Sequence, residues 1–198
     1  MLKSCFILLS LVSSALLAQN SDFSVAYLNP KTGIPAMLRF NPQSNNRPGP
    51  ENLSSWMQQN LYANAAFRMK FVRSVIGSDG LTHLRYQQFY GRFIVEAGEL
   101  ILHQKDRKTV SMNGKYFPDL QADTSIGISP AEAIQKALAL YPDAVFMWEL
   151  PSEQALLKKT GNGKHNSYYP QPELMLISLH DSCRNSDFRL AYKLDVYA

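Results

Sequence analysis

From Phe67 onward the sequence runs with a period of two, and no other feature restricts the possible folds as tightly. Phe67, Met69 and Phe71 alternate with Arg68 and Lys70, and Arg73 follows closely. Successive side chains of a strand point to opposite faces, so the pattern predicts a strand with one apolar and one wet face. Gly77-Ser78-Asp79-Gly80 predicts a turn, Leu81 to Tyr90 a second strand, and Gly91-Arg92 a tight turn. Phe93 to Val95 and Glu99 to His103 supply one or two more strands. Lys105, Arg107 and Lys108 fall in a further turn, and Val110 to Met112 before Asn113-Gly114 completes an antiparallel meander.

Ahead of the meander, Leu53, Trp56, Met57 and Leu61 recur at helical spacing and predict a short helix that starts near Asn52, a residue type suited to capping. Helix and meander together predict an α+β unit over residues 51–122. Before it, Asn29-Pro30-Lys31-Thr32-Gly33 reads as a turn and Ala36 to Phe40 as a short strand. Asn41 to Pro50 is rich in Pro, Gly and Asn and reads as a linker, so residues 19–50 form an N-terminal strand and linker.

The pattern then restarts. Ser129-Pro130-Ala131-Glu132 is a helix start in which the Ser129 hydroxyl accepts an amide bond, Glu132 reaches back, and Pro130 fits the first turn. Ile134, Ala137, Leu138 and Tyr141 share one face, and Pro142 ends the helix. Strands are expected at Ala144 to Glu149, Leu174 to Leu179 and Phe188 to Val196, with a short helix over Glu153 to Lys159 and an exposed loop from Gly161 to Ser167. Residues 128–198 therefore predict a second α+β unit.

The N-terminus sets the compartment. Lys3 precedes the apolar run Cys5 to Val12, which ends in the small residues Ser13, Ser14, Ala15 and Ala18 before polar Gln19-Asn20. This is the layout of a signal peptide over residues 1–18, with cleavage between Ala18 and Gln19 and a secreted or periplasmic product. The run is shorter than the roughly 20 apolar residues of a spanning helix, so no membrane association is expected after signal removal. Cys5 leaves with the signal peptide and Cys183 remains without an intramolecular partner.

Hydrophobic residues make up 45% of the chain and charged residues 18%, which excludes a disordered polypeptide. The net charge of +4 is dispersed, whereas nucleic-acid binding needs a clustered basic footprint. Catalytic signatures are absent from the sequence. No His-Glu pair occurs, so the His-Glu-x-x-His helix of zinc proteases is missing, and the four histidines, His83, His103, His165 and His180, are scattered. His180-Asp181-Ser182-Cys183 reads as a polar turn, because adjacent residues point in different directions. No Gly-x-Ser-x-Gly elbow, phosphate loop or dinucleotide fingerprint is present. The expectation is a chain without catalytic, cofactor-binding or metal-binding residues.

Thr82-His83-Leu84-Arg85-Tyr86-Gln87-Gln88-Phe89-Tyr90-Gly91 resembles the core of the propeptide domain of fungalysin-like and thermolysin-like zinc proteases. The stretch Gly91 to His103 is similar to the segment that follows in that family. It departs at Arg92-Phe93-Ile94, where a small apolar residue and Pro are usual, and at Glu96, where an aromatic is common. Val110 to Gly114 continues in register, and Thr32-Gly33-Ile34-Pro35 resembles the family's N-terminal element. The second unit resembles the PepSY-like half of the same propeptides, through Ile128 to Ile134, Pro172 to Met175 and Leu190 to Val196.

This resemblance implies two successive helix-on-antiparallel-sheet units of cystatin-like or PepSY-like form. It implies the pro-region of a secreted zinc metalloendopeptidase precursor, which assists folding of a thermolysin-like protease domain and inhibits it, in cis in a full-length precursor or in trans. Zinc is expected only in that protease domain. Thr82, His83, Arg85, Tyr86, Gln87, Gln88, Tyr90 and Gly91 are then structural motif residues. The strand pattern Phe188, Leu190, Tyr192, Leu194, Val196 reaches almost to Ala198, so a truncated precursor lacking the catalytic domain is expected. The alternative is a stand-alone exported PepSY-type inhibitor or binding module.

Overall fold

The polypeptide builds one mixed sheet from its meander outward. The structure, a computed structural model, describes residues 22–160, 167–180 and 187–198. The expected signal peptide, its Ala18–Gln19 cleavage site, most of the Gly161–Ser167 loop, and Asp181, Ser182 and Cys183 lie outside the described residues.

In chain order the elements are β1 (Phe23–Leu28), β2 (Pro35–Phe40), α1 (Leu53–Asn60), β3 (Phe67–Ile76), β4 (Thr82–Tyr90), β5 (Phe93–Lys105) and β6 (Lys108–Lys115). After them come α2 (Pro130–Leu138), a 3₁₀ turn (Met147–Glu149), α3 (Pro151–Thr160), β7 (Glu173–Ser178) and β8 (Phe188–Lys193). The eight strands form a single sheet in the order β1-β2-β6-β5-β4-β3, with β7 attached to β5 and β8 to β7. The architecture is α+β.

The meander forms as its period of two requires, with long antiparallel pairings from β3 through β6. Its alternate residues Leu84, Tyr86, Leu100, Leu102 and Met112 turn to one face, where α1 covers them with Leu53, Trp56 and Met57. Burial of each such side chain stabilises the fold by about 1.5–3 kcal/mol. Phe23 and Phe40 meet Trp56 edge-on at 5.5 and 5.4 Å, which carries β1 and β2 into the same core. The Ser54 hydroxyl accepts from the Met69 amide at 2.8 Å and fixes α1 against β3.

Several boundaries differ from those read in the sequence. The side chain of Asn52 does not cap α1; its Oδ1 accepts from the Gly49 amide at 2.6 Å and closes the preceding turn. Residues 41–50 are irregular but tightly held. The Trp56 indole donates to Asn46 Oδ1 at 3.0 Å, the Arg47 guanidinium donates to the carbonyls of Ser44 and Thr109, and the Thr109 hydroxyl donates to the Pro48 carbonyl. Pro, Gly and Asn report loss of regular backbone, not loss of tertiary contacts. The predicted pieces at Phe93–Val95 and Glu99–His103 are one strand, and Asn113-Gly114 lies inside β6, paired with Ile101 and Leu100.

The second half differs more. Its strands do not form a sheet of their own, because β7 runs parallel to β5 through Ile94↔Met175 and Val95↔Leu176, and β8 pairs outside β7. The two predicted units therefore share one sheet. The Ser129 cap is present, its hydroxyl accepting from the Glu132 amide at 3.2 Å. Ala144 to Glu149 is not a strand. Phe146 stacks on Trp148 at 4.4 Å, and Glu149 accepts from the Phe146 amide, so the apolar run curls into the 3₁₀ turn. Strand β8 stops at Lys193, short of the predicted Val196, and the Tyr197 carbonyl accepts from the Met147 amide at 3.0 Å.

Candidate functional site

Strand β4 is the whole of the Thr82–Tyr90 block, and its two faces do different things. Toward the core, Leu84, Tyr86 and Gln88 are buried. Gln88 is completely enclosed, and its amide matches a backbone: Nε2 donates to the Phe117 carbonyl and Oε1 accepts from the Phe117 amide, each at 2.9 Å. Phe117 belongs to a second core with Phe93, Val95, Leu120, Leu176 and Phe188, and its ring meets Phe188 at 4.5 Å. One glutamine thus links the meander to the core that holds β7 and β8.

The same position interrupts the ladder. Gln87 pairs with Glu99 and Phe89 with Ile94, so Val95 to Gly98 lie opposite Gln88 alone, as a wide bulge of β5. The Gln87 amide crosses this bulge and donates to the carbonyls of Val95 at 2.7 Å and Gly98 at 2.8 Å. Gly98 is required by space, since a Cβ there would sit 2.6 Å from Gln88 Cβ. The bulge is what turns Ile94 and Val95 toward β7.

The remaining motif residues complete the hairpin. Thr82 pairs with Ile76 and Gln104, and Tyr90 with Phe67 and Phe93. Gly91 has φ 59°, the left-handed value that a two-residue turn with Gly first requires, and its amide donates to the Ala66 carbonyl at 2.8 Å. Tyr86 packs its ring edge-on to Phe71 at 5.8 Å. Its hydroxyl has no hydrogen-bond partner among the described residues, and burial, with a smaller contribution from Glu51, pushes its pKa up to about 12. The Tyr116 hydroxyl is in the same situation and burial raises it further.

The opposite face of β4 is polar and open. His83 and His103 are register partners whose Nδ1 atoms lie 2.7 Å apart, and His103 Nε2 bonds Asn113 Oδ1. On the other side, His83 Nε2 lies 3.6 Å from Asp79 Oδ1. Arg85 forms an ion pair with Glu99. Among the described residues no group of three His, Cys, Asp or Glu side chains is arranged to hold a metal ion.

The sequence block therefore resolves into a buried core-facing half, Tyr86 and Gln88, and a half-buried polar half, His83, Arg85 and Gln87. From sequence, His103 stands only as one of four scattered histidines and Arg73 only as a strand cation, and Asn113, Glu99 and Phe117 carry no site role. The first four follow from registering the predicted strands against one another, which brings His83 opposite His103 and Arg73 opposite Arg85. Phe117 follows a strand with no periodic signal of its own.

Residues 68–116 match the family model of the Fungalysin/Thermolysin Propeptide Motif. The chain carries this propeptide motif. The motif spans β3 to β6, from Arg68 just inside β3 to Tyr116 just past β6, and so contains the polar face of β4 and the core-facing Gln88, whose partner Phe117 is the next residue beyond it. A search of curated proteins finds no match to the chain. The motif marks propeptides of thermolysin-type and fungalysin-type proteases, which associate with a thermolysin-like protease domain and derive from secreted precursors. No helix among the described residues is long and apolar enough to cross a membrane.

Proposed function

We propose that this chain acts as the pro-region of a secreted zinc metalloendopeptidase precursor, assisting the folding of a thermolysin-like protease domain and holding it inactive. The observation that carries this reading is the propeptide motif over residues 68–116. The sequence itself contains no His-Glu-x-x-His, so zinc and hydrolysis belong to the protease domain. The second half, with its Ser129-capped helix and β7–β8 pair, is proposed as the PepSY-like part, and residues 1–18 as the export signal.

A segment that binds the folded protease more strongly than the unfolded chain shifts folding by mass action. Exported proteases depend on a high unfolding barrier, so a bound pro-region also matters for the rate at which the native state is reached. The test is to add purified residues 19–198 to thermolysin. Slowed hydrolysis and a higher yield of active enzyme on refolding support the proposal. Hydrolysis and refolding both unchanged at saturating protein would overturn it.

A further inference from the structure

Strand β3 ends the sheet, and the open face beside it carries an unbalanced set of cations. Among the described residues β3 pairs only with β4, so its outer backbone groups have no strand partner. An edge of this kind is a template for an added strand. It exposes Phe71, Val72, Val75 and Ile76, and it contains Arg68, Lys70 and Arg73 but no carboxylate.

Two of those cations are already engaged. The Arg68 guanidinium donates to the carbonyls of Ala65 and Phe67, and the Lys70 ammonium sits 3.9 Å above the Phe89 ring. Arg73 has no hydrogen-bond or ion-pair partner among the described residues. It is the register partner of Arg85, and like charges directly opposite across two strands are destabilising. Glu99 offsets Arg85 but not Arg73.

Between them lies a pocket of about 250 Å³ lined by Arg73, Val75, His83, Arg85, Ile101 and His103. Its lining combines two arginines and two histidines with the apolar Val75 and Ile101, and Arg73 and Val75 belong to the edge strand itself. We infer that this pocket receives a carboxylate side chain of the protease domain, presented on an extended segment that adds to β3. The added strand would satisfy the unpaired backbone, and its carboxylate would relieve the Arg73–Arg85 repulsion by bidentate pairing. Alternate side chains of a strand face the same way, so one acidic residue over the pocket leaves its neighbours to meet Val72 and the other exposed edge residues. This inference rests on the proposed association with a protease domain and names the surface it uses.

The test has two arms on the full chain and on Arg73→Gln and Arg73→Glu, both surface changes whose folding is checked by circular dichroism. In the first arm, a short blocked β-forming peptide with one central glutamate, its glutamine twin, and inorganic phosphate are titrated while backbone amide shifts are followed. The glutamate peptide is expected to shift residues of β3, β4 and β5 around the pocket, with affinity at least about tenfold above the glutamine twin and lost in Arg73→Glu. Equal binding of the two peptides, or phosphate binding as well as the glutamate peptide, overturns the inference. In the second arm the same proteins are added to thermolysin. A wild-type complex weakened at least about tenfold by Arg73→Glu supports the inference. A complex indifferent to Arg73 overturns it and leaves the proposed function standing, whereas peptide binding without any thermolysin complex overturns the proposed function and leaves the pocket.

Discussion

Gln88 grips Phe117 by both backbone polar groups, donating to its carbonyl and accepting from its amide at 2.9 Å in a fully buried setting. The pairing joins the α1-covered core to the core that includes Leu176 and Phe188. Replacing Gln88 with Leu leaves a buried N–H and a buried C=O unsatisfied, each worth about 1–3 kcal/mol. Gln88→Leu is expected to lower stability by about 2–5 kcal/mol. Gln88→Glu keeps an acceptor for the Phe117 amide but loses the donor, and buries a charge. Urea midpoints at unchanged slope measure both variants.

Tyr86 makes the opposite case. Its ring is buried against Phe71, but its hydroxyl finds no partner among the described residues. Removing an unsatisfied hydroxyl removes a desolvation cost, so Tyr86→Phe is expected to be neutral or to stabilise by about 1 kcal/mol. Tyr86→Ala should cost about 3–5 kcal/mol through the cavity it leaves. Thermal unfolding of the three proteins side by side gives the order Phe, Tyr, Ala.

The β5–β6 turn is strained by its sequence. Asp106 and Arg107 adopt φ of 51° and 62°, left-handed values that glycine and asparagine tolerate better. A two-residue turn with both central residues in this region favours Asn-Gly. The double change Asp106→Asn with Arg107→Gly is expected to raise stability by about 1 kcal/mol, seen as a shifted urea midpoint.

These particular residues also show what a sequence reveals. The alternation Phe67, Met69, Phe71, the turn residues Gly77 to Gly80 and the glycine of Gly91-Arg92 are local signals, and they place β3, β4 and the turns after each almost at their observed bounds. The attachment of β7 to Ile94 and Val95 is a long-range pairing that depends on the bulge opposite Gln88, and periodicity carries no trace of it. Ala144 to Trp148 is a continuous apolar run, which fits strand and turn equally until Phe146 finds Trp148 to stack on. The open-face chemistry was half legible. His83 and Arg85 stand in the motif block, whereas their partners His103, Glu99 and Arg73 become neighbours only once the register is set.

Acid should loosen the N-terminal strand through Asp22. Its carboxylate accepts from the Ser44 hydroxyl at 2.8 Å and from Asn46 Nδ2 at 3.0 Å. The Asn46 and then the Ser44 bonds hold its pKa below the usual carboxylate value, against a smaller opposing effect of burial. A carboxyl with a depressed folded-state pKa contributes stability that is present above its unfolded pKa and is lost as the pH falls through the folded one. Melting temperatures of wild type and Asp22→Asn should therefore differ most at neutral pH and converge as the solution is acidified below the ordinary Asp range. A constant gap across that range would show that Asp22 does not act through its charge.

The Asp79–His83–His103–Asn113 row fixes the positions of two protons. With the Asn113 carbonyl oxygen against His103 Nε2, that nitrogen must carry the hydrogen and donate. In its neutral form His103 then presents a bare Nδ1, which accepts from His83 Nδ1–H across 2.7 Å. Nitrogen-detected NMR on imidazole-labelled protein is expected to show the Nδ1–H tautomer at His83 and the Nε2–H tautomer at His103. Asn113→Leu removes the acceptor that imposes this order, and both rings should then exchange between tautomers. If His103 keeps a single Nε2–H signal in that variant, Asn113 is not what orients the pair.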